Sequence, residues 1–417
     1  MGNMIGSGIY LLPSSLAPYG GISILGWIVT ATGSMVLAII FSRLSRLVTK
    51  PGGPYIYSQT AFGDFIGFIV AWGYWISIWC GNAAISTAMV GYLSTFIPVL
   101  NNSPLFSCIC ALCVIWILTW INILGIRTVG FVQAVTTIFK ILPLICICFI
   151  GIFYTRSDHF TPFNASSLSP FSAITSTAAL TLWAFLGLES ASIPSDDINN
   201  PRKNIPKATI LGTLFTALIY ILSTFAVMGI VHPESLITSP APFAEAAKMI
   251  WGNWAGRAVA AGAVISCLGA LNGWILLQGQ LPRAAAVYGL FPASFKKLSS
   301  HRTPVFGLIF SSIIITLLIS MNYYKSLVEK FTFIIMLATL ATLVPYLFCS
   351  FAELSIRIKR KITFSKKEIS SLIIISIIAF LYSSWAVVGL GLRIIAWGII
   401  LLGAGIPFYL IMKKFYK

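Results

Sequence analysis

The chain has 417 residues, of which 58% are hydrophobic and only 9% charged, with a mean hydropathy of +0.93. A soluble chain of this length carries roughly a quarter of its residues as charge, so a water-soluble fold is excluded, as is any sizeable soluble domain between the apolar runs. The net charge of +17 would point to nucleic acid in a soluble protein; here it needs an explanation in topology.

The first residues, Met1-Gly-Asn-Met-Ile-Gly-Ser-Gly, are already apolar. They carry neither the basic start nor the small-residue cleavage site of a signal peptide. The expectation is that the true start lies upstream and that these residues are the remainder of a first span. Between Gly2 and Pro13, Asn3, Ser7 and three glycines interrupt an apolar stretch. Each glycine lowers the cost of leaving helix geometry by about 1 kcal/mol relative to alanine. Backbone groups freed by such a break find no partner in lipid, and the carboxylate and amine of a small zwitterion would satisfy them. Close helix packing through small residues is the other reading of the same glycines.

Eleven further apolar runs are long enough to cross about 30 Å of hydrocarbon. They lie at 23–45, 63–97, 105–124, 129–153, 171–195, 206–231, 254–282, 304–321, 331–352, 369–387 and 392–412. The fourth holds Lys140 about eleven residues in, with no acid in the same run. The fifth places Trp183, Gly187, Glu189, Ser190 and Ser192 together before Pro194. Glu189 is the one acid expected near mid-membrane, where an ionisable group is costly and usually functional; a purely architectural hydrogen bond between helices is the competing account.

Twelve spans, counting the first, make the connections alternate between two sides. One side, with the C-terminal tail, collects 20 of the lysines and arginines and the other only 6. Loops retained in the cytoplasm are the cation-rich ones, so the C-terminus is expected there, in a bacterial inner membrane. The basic charge is therefore topology, and no nucleic-acid partner is implied. The eight cysteines (80, 108, 110, 113, 146, 148, 267 and 349) all fall in apolar runs, and His159, His232 and His301 fall in loops. Neither set has the spacing of a metal site or a disulfide framework, and no phosphate-cradling Gly-rich motif accompanies them. No cofactor, metal or enzymatic centre is expected.

Two interrupted spans, five spans apart, point to a transporter assembled from inverted repeats with its site at the midplane. Residues 1–155 and 170–355 would be the repeats, and 366–413 two peripheral helices. At both interruptions the sequence resembles the amino acid–polyamine–cation superfamily of transporters, most closely the bacterial arginine–agmatine exchangers and their ornithine–putrescine and lysine–cadaverine relatives. Further stretches agree in order: Lys50–Tyr57, Tyr74–Asn82, Asn200–Pro206, Gly273-Trp274 and Val344–Leu347. The resemblance implies an all-α membrane fold of twelve helices, five plus five inverted, with the first and sixth broken.

Carried over residue by residue, the resemblance implies that Ser7 and Gly8 meet a substrate carboxylate at the positive end of a half-helix. Carbonyls around Met4, Trp183 and Leu186 would accept from its amine. The Trp183 indole would stack on a cationic side chain, a contact worth ~0.5–2 kcal/mol. Trp274 would line the aliphatic stem, with Asn3, Ser77 and Asn82 close by, and Tyr74, Glu189 and Tyr346 would form a hydrogen-bonded gate. Two departures from the arginine exchangers matter. Ser77 and Ile78 replace smaller or softer residues, which points away from arginine itself. Lys140 stands where those exchangers carry a small apolar residue, and it resembles the fifth-helix lysine of proton-coupled carriers. A lysine in a dry site titrates more easily or, staying charged, braces the broken first helix; snorkelling to the interface is the plain alternative.

The expected function is exchange of amino acids, cationic ones or their decarboxylated amines, by alternating access. Proton-coupled uptake of neutral or broader substrates through Lys140 is the second reading. Homodimers, common among the exchangers, are implied only by the resemblance.

Overall fold

The computed structural model describes residues 4–50, 52–125, 144–192, 200–321, 324–361 and 366–415. Apolar runs with no water to bond their backbone must satisfy every N–H and C=O internally, and the described chain answers with helix and no strand. In order these are α1 Ser7–Leu16, α2 Ser23–Leu47, α3 Pro54–Phe62, α4 Asp64–Leu93, α5 Val99–Asn102, α6 Pro104–Ile123, α7 Leu144–Tyr154 and α8 Pro170–Phe185. There follow α9 Pro201–Ile230, α10 Pro233–Thr238, α11 Pro242–Trp251, α12 Asn253–Val287, α13 Ala293–Lys296 and α14 Val305–Met321. The last four are α15 Leu327–Lys359, α16 Lys366–Gly389, α17 Leu392–Gly403 and α18 Gly405–Phe415. Eight of the described helical segments are long and apolar enough to span a bilayer, with α1 and α2 counted together and likewise α17 and α18, and two shorter apolar helices join them.

The predicted runs map onto these elements with two instructive differences. The run expected at 171–195 ends as α8 at Phe185, where the chain leaves helix geometry. The last run divides at Ala404 into α17 and α18. Of the run at 129–153, only the part in α7 is described. Lys140 lies outside the described residues, as does Asn3.

Helix α4 is the centre of the bundle. Nearly all of it is buried, because α15 and α12 lie along two of its sides and α6 and α14 along another. Helices α8 and α9 flank α2 in a second group. The outermost helices show the reverse pattern: α6 exposes Leu105, Phe106, Ile117 and Trp120, and α16 to α18 expose Ile374, Leu381, Leu392 and Ile399. Apolar residues facing outward are the expected surface of a helix bathed in lipid.

Residues far apart in the chain meet on two opposite ends. Ser14, Tyr19, Asn101, Ser167, Pro240, Lys325 and Arg393 line one large depression; all belong to connections expected on the cation-poor side. Arg43, Arg46, Arg357 and Glu368 share another, and Arg360 donates to the Leu47 carbonyl at 3.0 Å. These belong to the cation-rich side.

Candidate functional site

Two interruptions meet in the middle of the bundle. Gly6 has φ −151° and ψ −139°, helix α1 begins at Ser7, and no side chain caps it. The first N–H groups of such a helix have no acceptor within it and present the positive end of the helix dipole. The preceding carbonyl, that of Met4, accepts from the Tyr220 hydroxyl of α9 at 2.6 Å. Helix α8 stops at Phe185: Leu186 is extended, with ψ 139°, and Gly187 has φ +97°, a region that a side chain makes costly. A short 3₁₀ turn at Ser190–Ser192 follows. The Ser190 and Ser192 hydroxyls fold back onto the carbonyls of Gly187 and Glu189, both at 2.6 Å, so the break is stitched locally.

The two breaks lie against each other because Gly8 has no side chain. A Cβ there would sit 3.0 Å from Ala184 Cα and 3.3 Å from the Trp183 indole. Between them is a cavity of about 20 Å³ lined by Met4, Gly6, Ser7, Gly8, Ile85, Trp183, Leu186 and Trp274. That volume holds about one water, so this is a closed site whose walls must part to admit anything larger. Two of its polar side-chain atoms are unmatched. Ser7 Oγ and Trp183 Nε1 are buried without a hydrogen-bond partner among the described residues, and nearby in α4 so is Asn82 Oδ1. Leaving such groups unpaired costs about 1–3 kcal/mol each, which a polar ligand would recover.

One flank of the cavity is locked. Glu189, 1% exposed, accepts from the Tyr74 hydroxyl of α4 at 2.6 Å through Oε1 and from the Tyr346 hydroxyl of α15 at 2.7 Å through Oε2. Both bonds are short and directed at one carboxylate, and they tie the segment after α8 to two other helices. The opposite flank is open. A vestibule of about 1160 Å³ reaches Leu180, one turn of α8 from Trp183, and the end of α1 at Ser14 and Ser15. There Ser15 bonds to Thr332 of α15 at 2.8 Å and Ser14 donates to the Ser239 carbonyl at 2.7 Å.

Of the residues expected at the site, Met4, Ser7, Gly8, Trp183, Leu186 and Trp274 line the cavity, and Tyr74, Glu189 and Tyr346 are in contact. Two do not reach its wall. The Ser77 hydroxyl donates back to the Tyr74 carbonyl at 2.8 Å. Asn82 donates to Gln278 Oε1 at 2.7 Å, and Gln278 in turn donates to Ser312 at 2.9 Å, forming a buried polar chain through α4, α12 and α14. Sequence reasoning passed over Ile85 and Tyr220. Ile85 follows Asn82 by three residues, a spacing that puts both on one face of α4; nothing local marks Tyr220.

The sequence profile of the amino acid permease family matches residues 1–409. The chain belongs to the amino acid permease family. The permease has the twelve-helix transporter fold of that family, with its broken first and sixth helices. It is 35% identical over 410 residues to a putrescine transporter, PotE, of Haemophilus influenzae, covering 98% of this chain and 94% of the relative. The Escherichia coli K12 PotE is 34% identical over 410 residues, covering 98% and 93%. A cadaverine/lysine antiporter of Escherichia coli K12 is 35% identical over 358 residues, covering 83% and 79%. The permease is accordingly a multi-pass membrane transporter of a family that carries small molecules.

Proposed function

We propose that this permease exchanges cationic amino acids and their decarboxylated amines across a bacterial inner membrane by alternating access, with its C-terminus in the cytoplasm. The observation that carries the reading is the small closed cavity between the two helix breaks, with Ser7 Oγ and Trp183 Nε1 unpartnered in its walls. The free N–H groups opening α1 suit a carboxylate, and the Trp183 face suits a cationic side chain. The likeness to a putrescine transporter and a cadaverine/lysine antiporter supports the amine and cationic amino acid pair. Residues 1–155 and 170–355 serve as the two inverted repeats, and 366–413 as peripheral helices.

In this reading the substrate fills the cavity once the vestibule side parts, and the Tyr74–Glu189–Tyr346 lock then opens toward the cation-rich side. Asn82 and Ser77 act from behind the wall, Asn82 by turning its free Oδ1 toward an ammonium. Asn3 adds a further polar contact at the first break, and association as a homodimer is the quaternary state the resemblance suggests. Lys140 motivates the second reading, in which proton-coupled uptake replaces exchange.

Counterflow in proteoliposomes tests the pair. Vesicles loaded with lysine, ornithine, putrescine or cadaverine should accumulate labelled partner several-fold over empty vesicles. Uptake into empty vesicles driven by a proton gradient, abolished in Lys140→Ala, would replace exchange with the second reading. Competition by leucine or proline, with none by any cationic compound, would overturn the substrate class.

A further inference from the structure

The vestibule on the cation-poor side carries more positive charge than a passage for cations needs. Lys325 and Arg393 both line it, although they come from connections that lie far apart in the chain. They converge on one aromatic ring: Lys325 Nζ lies 4.2 Å and the Arg393 guanidinium 5.9 Å from the centroid of Phe333. Neither has an ion-pair partner among the described residues. The acid lining the same space, Glu329, is engaged: its Oε2 accepts from the backbone N–H and the hydroxyl of Ser326, at 3.2 and 3.1 Å, to cap α15. Lys330, 2% exposed, lines a smaller cavity of about 60 Å³ shared with Lys325. The vestibule that leads toward the cavity is therefore lined by a cationic, ring-mounted pair.

We infer that Lys325 and Arg393 form a receiving site for the substrate carboxylate, so that the vestibule favours the amino acid over the decarboxylated amine. The inference takes its substrate pair from the exchange reading above. Charge in a low-dielectric funnel concentrates counter-ions and repels like charge. An amino acid offers a carboxylate to this pair, whereas a diamine offers only positive charge. The vestibule thus receives the amino acid, with one net positive charge and a carboxylate for the pair, more readily than the doubly charged diamine, and it hastens departure of the amine released from the cavity and hinders its return. The exchange becomes asymmetric by electrostatics, without any difference at the central cavity. Both side chains reach into aqueous space, Arg393 exposed and Lys325 half-buried, so their loss leaves the bundle intact.

Two measurements test this separately from the substrate assignment. In right-side-out vesicles, the Lys325→Gln/Arg393→Gln double variant should raise the external half-saturation concentration about 3- to 10-fold for the amino acid. For the matching amine it should fall about 2-fold, the opposite direction. Both shifts should shrink as salt rises, since screening sets in over ~8 Å at physiological ionic strength. Equal shifts for both compounds, or none, would overturn the inference. The field itself is read without transport. A Ser167→Cys reporter in the vestibule should react several-fold faster with an anionic than with a cationic methanethiosulfonate, after subtraction of the protein without that cysteine, and the double Gln variant should abolish the preference. A reporter that never showed the preference would sink the receiving site, whatever the substrate. A clear preference, in a protein that exchanges neither compound, would leave the cationic vestibule standing and the proposed exchange wrong.

Discussion

The two flanks of the central cavity are closed by different chemistry. On the cation-rich flank, one buried carboxylate grips two phenols from two helices at 2.6 and 2.7 Å. On the vestibule flank, neutral hydroxyls of Ser14 and Ser15 make single bonds at 2.7 and 2.8 Å. A carboxyl group engaged at both oxygens ties three segments together at one point, whereas each serine hydroxyl ties only two. The carboxylate flank is therefore the more tightly tied, and the shape agrees: about 1160 Å³ of open space stands on the other side. In the exchange proposed above, a carrier held this way would rest facing the vestibule, and substrate would release the lock only through its differential affinity for the two states.

Removing the lock is the sharpest way to break that contrast. Glu189→Ala leaves two buried phenols without an acceptor, and exchange in proteoliposomes should fall about 30-fold or more. Cysteine reporters on the cation-rich side of the gate should become reactive at the same time; unchanged exchange would show that the flanks are equivalent. Next in size, Trp183→Leu removes a stacking face worth about 0.5–2 kcal/mol. The half-saturation concentration for cationic substrates should rise about 3- to 30-fold, with a smaller rise for a neutral amino acid of similar length. Tyr220→Phe acts on the cavity wall alone: losing the bond to the Met4 carbonyl costs about 1 kcal/mol, and a rise of about 3- to 5-fold in the same constant is expected.

The smallest effect belongs to pH on the vestibule side. His159 lies in the short turn Ser157–Phe160, its ring 5.5 Å from that of His232. Burial, first, and then His232 and Arg156 hold its imidazole below the usual value, against a pull upward from Asp158 and the Gly229 backbone. The folded protein thus keeps His159 neutral where the unfolded chain would take up a proton. Stability is complete above the ordinary imidazole range near pH 6.5 and declines as pH falls through it toward the lower folded value. A melting temperature that drops slightly between pH 7 and 5, and drops less in His159→Gln, would place this sensitivity in the turn; a gate titrating first would instead change exchange before melting.

How much could be read in advance follows from the range of the interactions. The apolar runs, the glycines that permit a break, the acid in an apolar span and the alternation of basic loops are local features, and bilayer thickness converts them directly into helices and sides. That is why α2, α4, α6, α9, α12 and α14 start within a few residues of their expected bounds, and why Ser7, Trp183 and Glu189 stood out. Ser77 and Asn82 show the limit: both are polar and in the right helix, yet a hydroxyl can satisfy itself on its own backbone and an amide can find a glutamine on α12. Tyr220 and Phe333 carry no local mark at all.

The sequence by itself determined the class of molecule, its helices and where two of them fail, because these depend on chain composition meeting a slab of hydrocarbon. Only the tertiary structure decided that the two failures face each other across a closed cavity, that Ser77 and Asn82 find their partners away from its wall, and that Lys325 and Arg393 share one ring. Those are pairings between segments up to hundreds of residues apart, and a buried polar atom takes whichever partner the packing of the whole bundle brings within about 3 Å.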